Sequence, residues 1–173
     1  MYSLGPFARD KAVKLMDMPQ SSIGAPCPVV IADELHLAIA FYLEARDEKW
    51  DGTAVRVVGP NTDGEPFAII TFKSAIAHFH GPPNDEAFAG HPLEKRGLAP
   101  YGAFEVEHSS WLRYLMKMNR VHRYHKDKDF ADYRHLVLTF HDTTFECIAK
   151  GYMIDTGIGS LRLAANRMLE GMR

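Results

Sequence analysis

The chain has 173 residues, 46% of them apolar and 24% charged, and its 20 Lys and Arg against 22 Asp and Glu leave a formal charge of −2. A chain of this size buries roughly two-thirds of its unfolded surface and needs neither disulfides nor a structural metal to fold, which points to one domain over residues 1–173. The near-neutral balance removes the electrostatic argument for a nucleic-acid or membrane-surface partner, both of which select for excess positive charge.

The opening residues carry no basic region followed by an apolar core, so they do not read as a secretory signal. A helix is expected over about 8–18, with Pro6 at its start and Val13, Leu15 and Met16 turned inward. The run PQSSIGAPCP is a connector. From Val29 the odd positions are apolar as far as Leu43 except at Asp33, a period of two that predicts strands at 28–32 and 36–44. A helix over 34–45 competes, because Ala, Leu and Glu there favour it. The longest apolar stretch, Leu37 to Leu43, is far short of the ~20 residues that a membrane-spanning helix requires.

Strands at 54–58 and 67–73 would pair across the Asp-Gly turn of PNTDGEP. Beyond Lys73, Gly and Pro recur through nearly thirty residues, and long loops inside a compact domain are commonly functional. A helix over about 110–121 follows, capped by Ser109 or Ser110, with Trp111, Leu115, Met118 and Val121 as its core face. Leu136–Phe140 and Phe145–Ala149 form a hairpin, and Ser160 caps a last helix over about 160–171. Five to seven strands with flanking helices make an α+β domain built on a mainly antiparallel, curved sheet. A doubly wound sheet is disfavoured, since neither G-x-G-x-x-G nor a P-loop occurs.

Nine histidines supply most of the chemical vocabulary, because imidazole titrates near neutrality and is the commonest metal ligand. His78 and His80, two apart, share one face of an extended strand, and with Glu86 they could hold a divalent metal and leave coordination sites open. The alternative is that both simply end a surface strand. If Thr143 and Thr144 form a two-residue turn, His141 faces Glu146, giving a catalytic base and its orienting carboxylate. That register puts Cys147 opposite Phe140 on the other face. With no CxxC spacing, Cys27 and Cys147 fit reduced structural thiols and a cytoplasmic location. Within 78–110 the candidate ligand-binding residues are His91, Arg96 and Tyr101, joined by Trp111 just beyond it. Glu105 and Glu107 share a face of an extended segment there and could form an acid–base pair, although such pairs usually face water.

Six basic residues between Arg113 and Lys128, interrupted only by Asp127 and interleaved with tyrosines and histidines, could form a nucleic-acid stripe, although such a run is more often the solvated face of a helix and its loop. GHPL with RGL, YGAFEVEHSSW and TFHDTTFECIAKG resemble stretches of a group of uncharacterised bacterial proteins, over about residues 28–151. That resemblance implies a stand-alone bacterial domain and transfers no catalytic residue.

The leading expectation is a small-molecule-binding domain with a His/carboxylate site, working as a metal-assisted enzyme if it is one, since no G-x-S-x-G signature appears. A non-catalytic homodimeric module using Trp111, Tyr101 and the later tyrosines is the alternative, followed by nucleic-acid binding through 113–128.

Overall fold

The structure, a computed structural model, describes residues 9–45, 53 and 57–172. In chain order its elements are β1 (Lys11–Lys14), β2 (Val29–Ala32), β3 (Leu37–Tyr42), β4 (Glu65–Lys73), β5 (Ala77–Gly81), β6 (Gly102–Glu107), α1 (Ser110–Asn119), β7 (Arg134–Thr139), β8 (Thr144–Ala149), β9 (Gly151–Gly159) and α2 (Leu161–Glu170). The strands form two antiparallel sheets, one ordered β1-β6-β7-β8-β5 and the other β2-β3-β4-β9. Among the described residues no helix is long and apolar enough to cross a membrane.

Alternation along the strands sorts side chains into three layers of core. Leu37, Ile39 and Phe41 of β3 and Ala68, Ile70 and Phe72 of β4 face Leu136, Leu138, Phe145 and Cys147 of β7 and β8, filling the space between the sheets. Phe72 stacks on Phe145 with ring centroids 5.3 Å apart. The opposite faces of β3 and β4 present Ala38, Ala40, Tyr42, Phe67 and Ile69 to Leu161, Ala164 and Met168 of α2. Because β3 is covered on both sides, all six of its residues are buried, which is why its sequence reads as an apolar run. On the outer face of the five-stranded sheet, Ala12, Phe104, Val106 and Val137 are covered by Phe88, Leu93 and Leu98. At roughly 1.5–3 kcal/mol for each large side chain buried, the two sheets and their covers are mutually dependent.

The sheets are joined at a corner. β4 pairs with β9 as far as Lys73↔Gly151, and the pairing resumes in the other sheet at Ala77↔Ile148. Ser74, Ala75 and Ile76 therefore oppose only Ala149 and Lys150, a bulge that redirects the ribbon. Ser74 adopts φ +50°, and the Lys150 and Ile76 N–H groups donate to the Lys73 and Ile148 carbonyls, each at 2.9 Å, which ties the two sides of the bend together.

The α+β class and antiparallel pairing hold, and β2, β3, β4, α1 and α2 lie close to their expected positions. Other expectations are corrected. Among the described residues, nine strands in two packed sheets replace one curved sheet of five to seven. The described part of the expected 8–18 helix contains β1, whose Ala12 and Val13 pair with Val106 and Glu105 of β6; pairing with a neighbouring strand overrides the local helical spacing. Of the expected α1 core face only Trp111 is buried, while Met118 and Val121 are exposed, because the helix meets β7 through its first turns and then projects away. The expected 54–58 strand lies outside the described residues except at Val57 and Val58, which are not in a strand.

Candidate functional site

On β7 and β8 the inward residues are apolar and several outward ones are polar. Val137 pairs with Glu146, which places Glu146 diagonally beside His135 on the outer face. The β6–β7 ladder ends at Glu105↔Leu136; beyond it β6 continues along β1. The two strands part there, and a groove of about 310 Å³ opens, walled by Glu105–Ser109, by Leu112 and Arg113 of α1, and by residues 133–135.

A hydrogen-bonded chain runs beneath this groove. His135 Nε2 lies 2.8 Å from Glu146 Oε2, and its Nδ1 lies 2.9 Å from Ser109 Oγ. His91 Nε2 approaches the other carboxylate oxygen, Oε1, at 3.4 Å. The Leu93 N–H donates to His91 Nδ1 at 3.1 Å, which fixes that ring as the Nε2–H tautomer, with its proton toward Glu146. Ser109 Oγ accepts the Leu112 N–H at 3.1 Å as the N-cap of α1, so its hydroxyl proton is free to point at His135. All four residues are buried, and the edge of Trp111 packs on His135 at 5.2 Å. Asp10, also buried, accepts the Ser110 N–H at the same helix end. Buried at Glu146, a carboxylate is tolerated where hydrogen bonds satisfy it, and the His91 and His135 rings each meet one of its oxygens.

A second assembly lies near the β7–β8 turn. Asp85 Oδ2 accepts from the Tyr101 hydroxyl and from His141 Nδ1, the latter at 2.9 Å, and the Asp85 N–H donates to the His141 carbonyl at 2.9 Å. The Tyr101 and His141 rings stack at 6.4 Å. The tyrosine hydrogen bond, followed by that from His141, holds the Asp85 carboxyl below its ordinary range; the same hydrogen bond pushes Tyr101 up. Here the histidine side chain is 42% exposed, in contrast to its enclosed counterparts.

The sequence-predicted site residues fall into distinct groups. His91 and Glu146 meet, with Trp111 nearby. His141 and Tyr101 meet at Asp85 instead. The expected His141–Glu146 pair is not formed, because the turn is centred on His141 and Asp142, where the Phe140 N–H donates to the Thr143 carbonyl at 2.9 Å, two residues before the expected Thr143–Thr144 turn, and the register shifts. Arg96 donates to the Asp10 carbonyl at 3.4 Å. His78 and His80 are exposed on the edge strand β5, where His80 Nε2 meets Thr143 Oγ1 at 3.1 Å, and Glu86 is exposed in the following loop. Among the described residues no three His, Cys, Asp or Glu side chains are gathered as a metal ligand set, so the proposed His78/His80/Glu86 centre is not assembled. Burial pushes the Cys147 thiol well up, the state of a core thiol. In the basic stripe Asp127 takes both Arg120 and His125 at 2.7 Å, and its carboxyl falls to about 2, chiefly through the arginine hydrogen bond.

His135 was not distinguishable as a site residue by spacing, and Ser109 read only as a cap. The signal that finds both is the placement of the turn at His141–Asp142, which sets Glu146 beside His135 on one face. No protein-family model, curated protein or solved structure matches the chain.

Proposed function

We propose that the protein binds a small molecule in the groove between the end of β6, the first turn of α1 and the start of β7. The observation that carries this reading is the convergence of the His91–Glu146–His135–Ser109 chain on that groove, where the β6–β7 ladder opens. Ligand sites are typically concave, with few well-held polar groups in otherwise apolar surroundings. The enclosed imidazole and hydroxyl supply such groups, and Arg113, Arg134, Glu105 and Glu107 give the rim both signs of charge. Amide spectra of the labelled full chain, recorded against a panel of short carboxylic esters, amides and acids, test the reading. Perturbations concentrated at residues 105–113 and 133–135 are expected. Perturbations confined to other parts of the surface, or none across the panel, would overturn it.

One observation favours the alternative of a homodimeric interaction module: Tyr114, Met118 and Val121 of the α1 region are 54%, 53% and 94% exposed. Trp111 cannot serve on that surface because it is buried against His135. Sedimentation at several concentrations separates the readings, since a strictly monomeric chain removes the homodimer.

A further inference from the structure

Resting on the groove as the ligand seat, we propose that Ser109 is the nucleophile of a hydrolase for short-chain carboxylic esters, with His135 as its general base and Glu146 as the carboxylate that orients His135. Three features of the chain carry this assignment.

The first is the order of the groups. A serine hydroxyl 2.9 Å from one imidazole nitrogen, with a carboxylate oxygen 2.8 Å from the other, is the arrangement by which serine is activated for acyl transfer. Glu146 receives Nε2–H, so Nδ1 keeps its lone pair toward Ser109. His91 holds the second carboxylate oxygen and is itself fixed by the Leu93 amide; it is a positioning residue.

The second is the backbone around Ser109. The chain passes from β6 through His108 directly into α1, and His108 adopts φ +52°, a left-handed conformation unfavourable for a side-chain-bearing residue. The Arg113 guanidinium donates to the His108 carbonyl and braces this turn. A sharp strand-to-helix turn presents a nucleophile at the open end of a helix. There the helix dipole favours the negative charge that develops on a substrate carbonyl oxygen, the Ser110 and Leu112 amides being engaged by Asp10 Oδ1 and by Ser109 Oγ itself. The capping bond to Leu112 shows that Oγ sits over that end.

The third is the groove itself. It reaches Ser109 and His135, and its volume of about 310 Å³ suits a small acyl group, being at the low end of the roughly 300–1,000 Å³ of small-molecule sites.

The chemistry balances with these residues and water. Ser109 Oγ adds to the ester carbonyl carbon as its proton passes to His135 Nδ1, and the carbonyl π pair becomes the oxyanion. Collapse of the intermediate breaks the bond to the alkoxide, which takes the proton from His135 and leaves as an alcohol. Water then adds to the acyl-Ser109 carbonyl, giving its proton to Nδ1. The second collapse returns that proton to Oγ and releases the carboxylic acid.

The test uses the full chain with a fluorophosphonate probe, read by intact mass and peptide mapping, alongside turnover of p-nitrophenyl acetate and butyrate. One adduct on Ser109 and saturable turnover are expected. Ser109→Gly keeps a residue that caps a helix nearly as well, and it should abolish the adduct and reduce turnover by at least about a hundredfold. Glu146→Gln should lower kcat more than it raises KM and alter the pH profile of kcat/KM, a split that a purely structural role would not produce. An unlabelled Ser109 in the wild-type chain, or undiminished turnover in Ser109→Gly, overturns the proposal. If a non-hydrolysable amide analogue still perturbs residues 105–113 while Ser109 stays unlabelled, the hydrolase fails and the binding reading stands. If the groove shows no perturbation, both fail.

Discussion

The outer face of the five-stranded sheet carries two assemblies made from similar parts under opposite conditions. In one, Glu146 lies between the Nε2 atoms of His91 and His135, all three enclosed beneath the covering segment. In the other, Asp85 lies between Tyr101 and His141 near a turn, with the histidine open to water. Water is the difference. At Asp85 the solvent can replace any partner that leaves. At Glu146 nothing can, so each donor has to be satisfied within the protein, and geometry there is held far more tightly. Such a held geometry is what activating a serine requires, because a base displaced by an ångström loses its effect. The same enclosure makes the chain a part of the fold.

The largest expected effect follows from that contrast. Glu146→Ala leaves two buried imidazole N–H donors without their carboxylate, at about 1–3 kcal/mol each, and urea unfolding at pH 7 should show a loss of about 2–5 kcal/mol. Glu146→Gln keeps one acceptor and should lose less. Near-parental stability in Glu146→Ala would mean that the buried chain does not bind the loop to the sheet. Next in size is Ser109→Ala, which removes the α1 cap and a partner of His135 and should cost about 1 kcal/mol by the same measurement.

The smallest effect belongs to the open assembly and appears only in acid. The folded-state pKa of Asp85 is depressed, so below the ordinary carboxylate range the unfolded chain takes up protons more readily than the folded one. Its contribution is therefore complete above about pH 4 and fades as pH falls through the depressed value. Urea midpoints compared at pH 5 and pH 3 should drop less in Asp85→Asn than in the parent. An identical drop would show that the Tyr101–Asp85–His141 contacts do not persist in solution.

Much of the scaffold was legible in the sequence where one physical cause dominates. The alternation through Leu37–Tyr42 survives because both faces of β3 are covered, and the serine caps of α1 and α2 sit at the expected positions with their side chains accepting N–H groups. β1 and β9 escaped notice, and β5 lies inside the stretch expected to be a loop. β1 has four residues and owes its conformation to β6, and β9, an edge strand with three glycines and much of its middle exposed, carries no one-sided pattern. The site was half legible for a similar reason. His91, Glu146, Tyr101 and His141 stood out by type, yet their partners depended on the Phe140–Thr143 turn. Moving the centre of that turn from Thr143–Thr144 to His141–Asp142 moves Glu146 from His141 to Val137 in the ladder and brings it beside His135. Which residues could do chemistry is written in their side chains; which of them meet is decided by register, and register by a turn whose Asp and Thr are compatible with more than one placement.

The central claim is that Glu146 orients both enclosed rings and leaves the Nδ1 of His135 as an acceptor facing Ser109. Long-range proton–nitrogen correlation spectra of ring-labelled histidine in the full chain read the tautomers directly. Nε2–H tautomers are expected at both His91 and His135 at pH 7, with the Nδ1 of His135 shifting in Ser109→Gly. An Nδ1–H tautomer at His135, or an Nδ1 signal indifferent to loss of the serine hydroxyl, would contradict it.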